Sequence, residues 1–121
     1  MKNVFYVFLL IATLNVFPGC ASTEEISSVA LPEATTLYQK AIQQYKVRRW
    51  HEAGILFRQY IRNYPTTDLY RVALYYLGHC EQMLANKKDA LLIYNSVITK
   101  FPDDDFWVAA AKRRVEEMKS P

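Results

Sequence analysis

The sequence predicts an all-α fold: two tandem helix-turn-helix hairpins followed by a C-terminal capping helix. Three observations carry this reading. The 121 residues are 51% hydrophobic and 14% aromatic with only 3 glycines, a balance that suits helices packed through large side chains. Apolar residues recur at three- and four-residue spacing. The chain also repeats itself. Shifted by 37 positions, Leu37 falls on Leu74, Tyr38 on Tyr75, Ala41 on Gly78, Ala53 on Ala90 and Phe57 on Tyr94. The match continues with Ile61 on Ile98, Tyr64 on Phe101, Pro65 on Pro102, Asp68 on Asp105 and Tyr70 on Trp107. A fixed period of this size marks stacked supersecondary units.

Along the chain, residues 1–19 read as an export signal. Lys2 supplies the positive start, and Val4 to Phe17 is a nearly unbroken apolar run of 14 residues. A membrane-spanning helix needs about 20, so the run has the length of a signal-peptide core and stays out of the fold argument. It ends in Pro18-Gly19-Cys20-Ala21-Ser22, which resembles the lipobox of bacterial lipoproteins, with a small residue before the cysteine. Phe17 and Pro18 stand where that motif prefers Leu and a small residue. The resemblance implies lipidation of Cys20, which becomes the mature N-terminus and carries a diacylglyceryl group. No other cofactor is expected. Cleavage after Ala21, giving a soluble periplasmic product, is the alternative. Acyl chains gain about 0.8 kcal/mol per buried methylene, so a lipidated Cys20 anchors the protein to a membrane. Ala21, where Asp would favour the inner membrane, implies by the same resemblance the periplasmic face of the outer membrane. Residues 20–31 are polar, serine-rich and without helical period, as expected of a tether spanning about 20 Å.

The helical repeat domain is expected over residues 32–121. Its first helix is placed from about Pro32, a favoured first-turn residue, to Lys46. The second runs from about Trp50 to Asn63 and stops before Pro65; Pro102 repeats that stop after the fourth. Thr66-Thr67-Asp68 and Asp103-Asp104-Asp105 are expected to cap the helices that follow. The last helix is placed at Asp105 to Lys119, with a charged outer face suited to solvent. Ala41, Gly78, Ala53 and Ala90 sit where paired helices must approach closely.

Several functions are excluded by what the residues can do. The formal net charge of +3 falls to +2 without Lys2, too small a surplus for a polyanion partner. The pairs Arg48-Arg49, Lys87-Lys88 and Arg113-Arg114 read as solvated helix ends or turns, so no nucleic acid is expected. Three adjacent aspartates cannot converge on a cation without further ligands, and no metal is expected. Adjacent His79 and Cys80 point about 100° apart on a helix and form no catalytic pair. Cys80 reads as a small buried residue and His51 as an exposed one. With two histidines and no phosphate loop or nucleophile elbow, no catalytic residues are assigned.

Leu77-Gly78, the alanines Ala53 and Ala90, the aromatics Phe57 and Tyr94, and the prolines Pro65 and Pro102 together resemble the tetratricopeptide family over about Leu37 to Lys119. The Tyr-Pro and Phe-Pro endings resemble those of the BamD-like lipoproteins of outer-membrane barrel assembly and of the tetratricopeptide protein of the Tol-Pal system. Those barrel-assembly lipoproteins carry about five repeats; this chain has two plus a helix. The family implies a protein or peptide partner held in a groove lined by the first helices. Here the groove positions fall on Tyr38, Ile42, Tyr45 and Lys46, and on Tyr75, His79, Gln82 and Met83. Tyr38 and Tyr75, one repeat apart, would form a ladder for an extended peptide; core packing is the other reading of such tyrosines. The expected function is that of a membrane-anchored adaptor in envelope assembly, with a pilot for a secretion or pilus pore as the alternative. Self-association is a further way to cover the ends of so short an array.

Overall fold

The computed structural model describes residues 24–121, so the export signal, Cys20 and the first residues of the tether lie outside the described residues. Five helices follow in order: α1 Glu24–Lys46, α2 Trp50–Asn63, α3 Tyr70–Met83, α4 Lys87–Lys100 and α5 Asp105–Lys119. Each packs on the next, and α3 also reaches α5. The result is two antiparallel hairpins, α1–α2 and α3–α4, with α5 closing the stack, as the sequence predicts.

One boundary differs. α1 begins at Glu24, not Pro32, and takes the proline inside the helix. Antiparallel α2 has 14 residues against the 23 of α1, which makes α1 the longer arm of its hairpin.

Both hairpin turns end their first helix in the same way. After α1, Arg49 N–H bonds Gln44 O and Arg48 N–H bonds Tyr45 O, each at 3.0 Å. After α3, Asn86 N–H bonds Glu81 O at 2.9 Å and Ala85 N–H bonds Gln82 O at 3.0 Å. These paired bonds form a Schellman motif, which requires a left-handed residue at its hinge. Arg48 (φ 60°) and Ala85 (φ 63°) fill that position, where glycine is unstrained. Ala85→Gly is therefore expected to stabilise the fold by about 0.5–1 kcal/mol, the relief of left-handed strain exceeding the entropy that glycine adds to the unfolded chain. Thermal unfolding checks it: the midpoint rises by a few degrees.

The other two turns differ from each other. Asp104 caps α5 as expected, its carboxylate accepting from Trp107 N–H at 3.2 Å, and its second oxygen lies 2.6 Å from Arg71 Nε. The Arg71 N–H is not aimed along that contact, so the pair is held by charge more than by hydrogen bonding. The Thr66-Thr67-Asp68 segment gives α3 no side-chain cap, which corrects the sequence expectation. Thr67 is engaged inward instead: its hydroxyl donates to Tyr64 O at 3.0 Å and meets the buried Tyr60 hydroxyl at 2.7 Å. A core phenol that needed a partner has taken the would-be cap.

The interior falls into two adjoining clusters. One gathers Ala41, Ala53, Phe57, Tyr60, Ala73, Leu77 and Cys80; the other gathers Leu74, Ala90, Tyr94, Val97, Ala111 and Val115. Ala41, Ala53 and Ala90 are fully buried, which places small side chains at the crossings where the spacing expects them.

Candidate functional site

The first helices of the units, α1 and α3, and the closing helix α5 share one face of the stack. Aromatic rings run across it. Phe57 of α2 stacks on Tyr76 of α3 at 5.6 Å between centroids, and Tyr38 of α1 meets Phe57 edge-on at 6.1 Å. Tyr76 in turn touches Tyr45 at 4.7 Å, Tyr75 at 5.9 Å and Trp107 of α5 at 6.2 Å. Edge-to-face and offset contacts of this kind are each worth about 0.5–1.5 kcal/mol beyond burial. The face is thus a continuous, stiffened aromatic sheet.

Polar heads decorate it. Tyr45 Oη lies 2.7 Å from His79 Nδ1, with the shared proton on either atom according to the imidazole tautomer. This bond joins α1 to α3. Arg114 of α5 donates to Tyr75 Oη at 3.3 Å and to Glu117 at 3.1 Å. Tyr94, fully buried, donates to Gln82 Oε1 at 2.9 Å. Burial, with Tyr76 beside it, pushes the Tyr45 phenol up to about 12, so it stays neutral.

The eight groove positions expected from the sequence therefore divide. Tyr45, Tyr75 and His79 meet on this face through Tyr76, half-buried with their polar ends engaged. Tyr38, which meets Phe57 beside them, and Ile42 are partly buried against the first core cluster, as Tyr45 is, Gln82 is held by Tyr94, and Lys46 and Met83 are exposed at the ends of their helices. Phe57 and Tyr76 lie between Tyr38 and Tyr75. Tyr76, Trp107 and Arg114 belong to the face although none was among the expected positions. The repeat itself held the signal for the last two, since the same shift that pairs Tyr70 with Trp107 makes α5 a third first helix.

His79 is held below the ordinary imidazole range, first by burial and then by the Arg114 charge, with Glu117 opposing. The unfolded chain then binds the proton more tightly than the fold does. Stability is complete above the unfolded value of 6.5 and falls as pH drops from there through the lower folded value. A lower urea midpoint is expected at acid pH, and His79→Gln should flatten that part of the profile.

Cys80 is fully buried and free. Burial, then the Glu81 charge, pushes its thiol up to about 12, which leaves it unreactive. Among the described residues no group of three or more His, Cys, Asp or Glu side chains could hold a metal, and no helix is long and apolar enough to cross a membrane.

Stacked helical hairpins with a shared aromatic face define a helical-repeat protein. The chain belongs to the tetratricopeptide repeat family, which it matches over residues 35–67 and 72–104, more than half its length. No curated protein matches it significantly. Tetratricopeptide repeats bind other proteins, and this chain is a protein-interaction module of that kind.

Proposed function

We propose that the protein is a lipid-anchored adaptor that captures a protein partner at the periplasmic face of the outer membrane during assembly of a bacterial cell envelope. One observation carries the binding part: the continuous face on which Tyr45, Tyr76, His79 and Arg114 from three helices present rigid apolar area with polar tips. Such side chains dominate protein interfaces because they bury much area at small entropic cost. The anchoring part is supported by the sequence, where a short apolar run from Val4 to Phe17 leads into Gly19-Cys20. The role is non-catalytic. A two-repeat stack buries its end helices on one side only, so a partner or a second copy also adds stability by covering them.

Crosslinking in the native cell, followed by identification of the captured protein, tests the reading. His79→Ala combined with Arg114→Ala removes two half-exposed heads without touching the buried clusters. Capture is expected to fall about tenfold or more while the helical circular dichroism is retained; undiminished capture would move the site off this face. Cys20→Ala is expected to release the protein from the membrane fraction, and unchanged fractionation would remove the anchor.

A further inference from the structure

The two hairpin turns form an edge whose chemistry the groove does not use. Val47-Arg48-Arg49 joins α1 to α2, and Leu84-Ala85-Asn86 joins α3 to Lys87-Lys88 at the start of α4. The turns adjoin: His51 at the start of α2 lines one cleft of about 280 Å³ with Leu84, Asn86 and Asp89. Val47 is 63% exposed and Met83, at the end of α3, 49%. Arg48, Arg49, Lys87 and Lys88 are all exposed, and among the described residues none has a carboxylate within 4 Å.

Three local preferences run against these cations. Lys87 and Lys88 occupy the first two positions of α4, where the helix dipole disfavours positive charge. Arg49 stands at the N-cap of α2 and offers no acceptor to the free N–H groups. Arg48 takes the left-handed hinge that glycine would fill without strain. Two successive turns thus keep basic residues against three separate local preferences, the pattern expected where function overrides stability. Of the acidic groups on this edge, Glu52 and Asp89 stand in the first turns of α2 and α4, Glu116 and Glu117 near the end of α5 pair with Lys119 and Arg114, and Glu81 is buried between Arg58 and Asn86 at 2.6 and 2.7 Å. The opposite edge carries Asp68, Asp103, Asp104 and Asp105.

We propose that this edge docks on an anionic lipid surface. Its form selects that occupant over an acidic peptide: the apolar side chains stand out at the ends of helices with cations around them. Protruding apolar tips insert into a fluid headgroup layer, whereas a peptide needs a groove to lie in. Each lysine or arginine near an anionic bilayer adds attraction that falls off within a Debye length. The chain enters α1 at the opposite edge, so the contact needs neither an acyl chain on Cys20 nor the aromatic groove.

The test uses the full chain carrying Cys20→Ala and compares flotation with phosphatidylcholine vesicles and with vesicles containing roughly 25% phosphatidylglycerol. The apolar leader partitions into both, so the difference between them reads the edge. Binding to the anionic vesicles is expected to exceed that to the neutral ones about tenfold or more and to collapse at about 0.5 M salt. Arg48→Glu, Arg49→Glu, Lys87→Glu and Lys88→Glu together should abolish the preference with helical circular dichroism intact. Val47→Asn with Met83→Gln, which keeps every charge, should weaken anionic binding several-fold. No preference for anionic vesicles, or a preference that survives the charge reversal, overturns the proposal. So does anionic binding unaffected by the Val47 and Met83 changes and displaced by polyglutamate, which would mark the edge as a site for acidic protein.

Discussion

Gly78→Leu is expected to destabilise the domain severely. A Cβ at Gly78 would stand 3.0 Å from Tyr94 Cε1, 3.1 Å from Tyr94 Cδ1 and 3.2 Å from Ile93 Cγ2, so the neighbours must give by a few tenths of an ångström even for alanine. The Tyr94 ring cannot retreat. It is fully buried, its hydroxyl is tied to Gln82, and Tyr75 lies 5.6 Å away. Relief must come from separating α3 and α4, which opens the second core cluster. Overpacking of this kind costs about 3 kcal/mol or more, a large share of the stability of any small domain. Gly54 is the internal control. A Cβ there would find Cys80 Cβ at 3.7 Å and Leu77 Cδ1 at 3.9 Å, ordinary contacts. Gly54→Ala should therefore show only the helix-propensity gain of roughly 1 kcal/mol. Urea denaturation of both variants checks the pair; equal effects would show that the α3–α4 contact is less tight than its geometry indicates.

Phe57→Ala is expected to cost about 3–5 kcal/mol, the range for a fully buried aromatic whose cavity cannot collapse. The effect should reach the groove as well. Phe57 touches Tyr38, Tyr45 and Tyr76, so its loss removes the floor on which three tyrosines of the binding face rest. Lower denaturation midpoints together with loss of partner capture are expected. Full capture by a destabilised but folded Phe57→Ala variant would show that binding does not depend on this aromatic packing.

Much of the architecture is legible in the sequence because a repeated chain states each rule twice. Pro65 and Pro102 end α2 and α4, and the boundaries of α2 and α5 fall on the residues expected. Alanines at the crossings follow from the same shift. The parts that escaped are those where one side chain had two competing uses. Thr67 has the chemistry of a cap and is spent on a core phenol. Tyr76 follows Tyr75 in sequence, and pattern alone did not tell which of two adjacent tyrosines would sit at the centre of the face. Arg114 has the sequence setting of a surface charge, and only the meeting of α3 with α5 brings it to Tyr75.

α3 contributes Ala73, Leu77 and Cys80 to one buried cluster and Leu74 to the other, while α1 serves only the first and α5 only the second. In a nearest-neighbour stack, opening then starts at the ends and reaches the middle last. The aromatic face joins α3, which packs into both clusters, to the two terminal helices, which each pack into one. A partner that grips the face stiffens the ends in doing so.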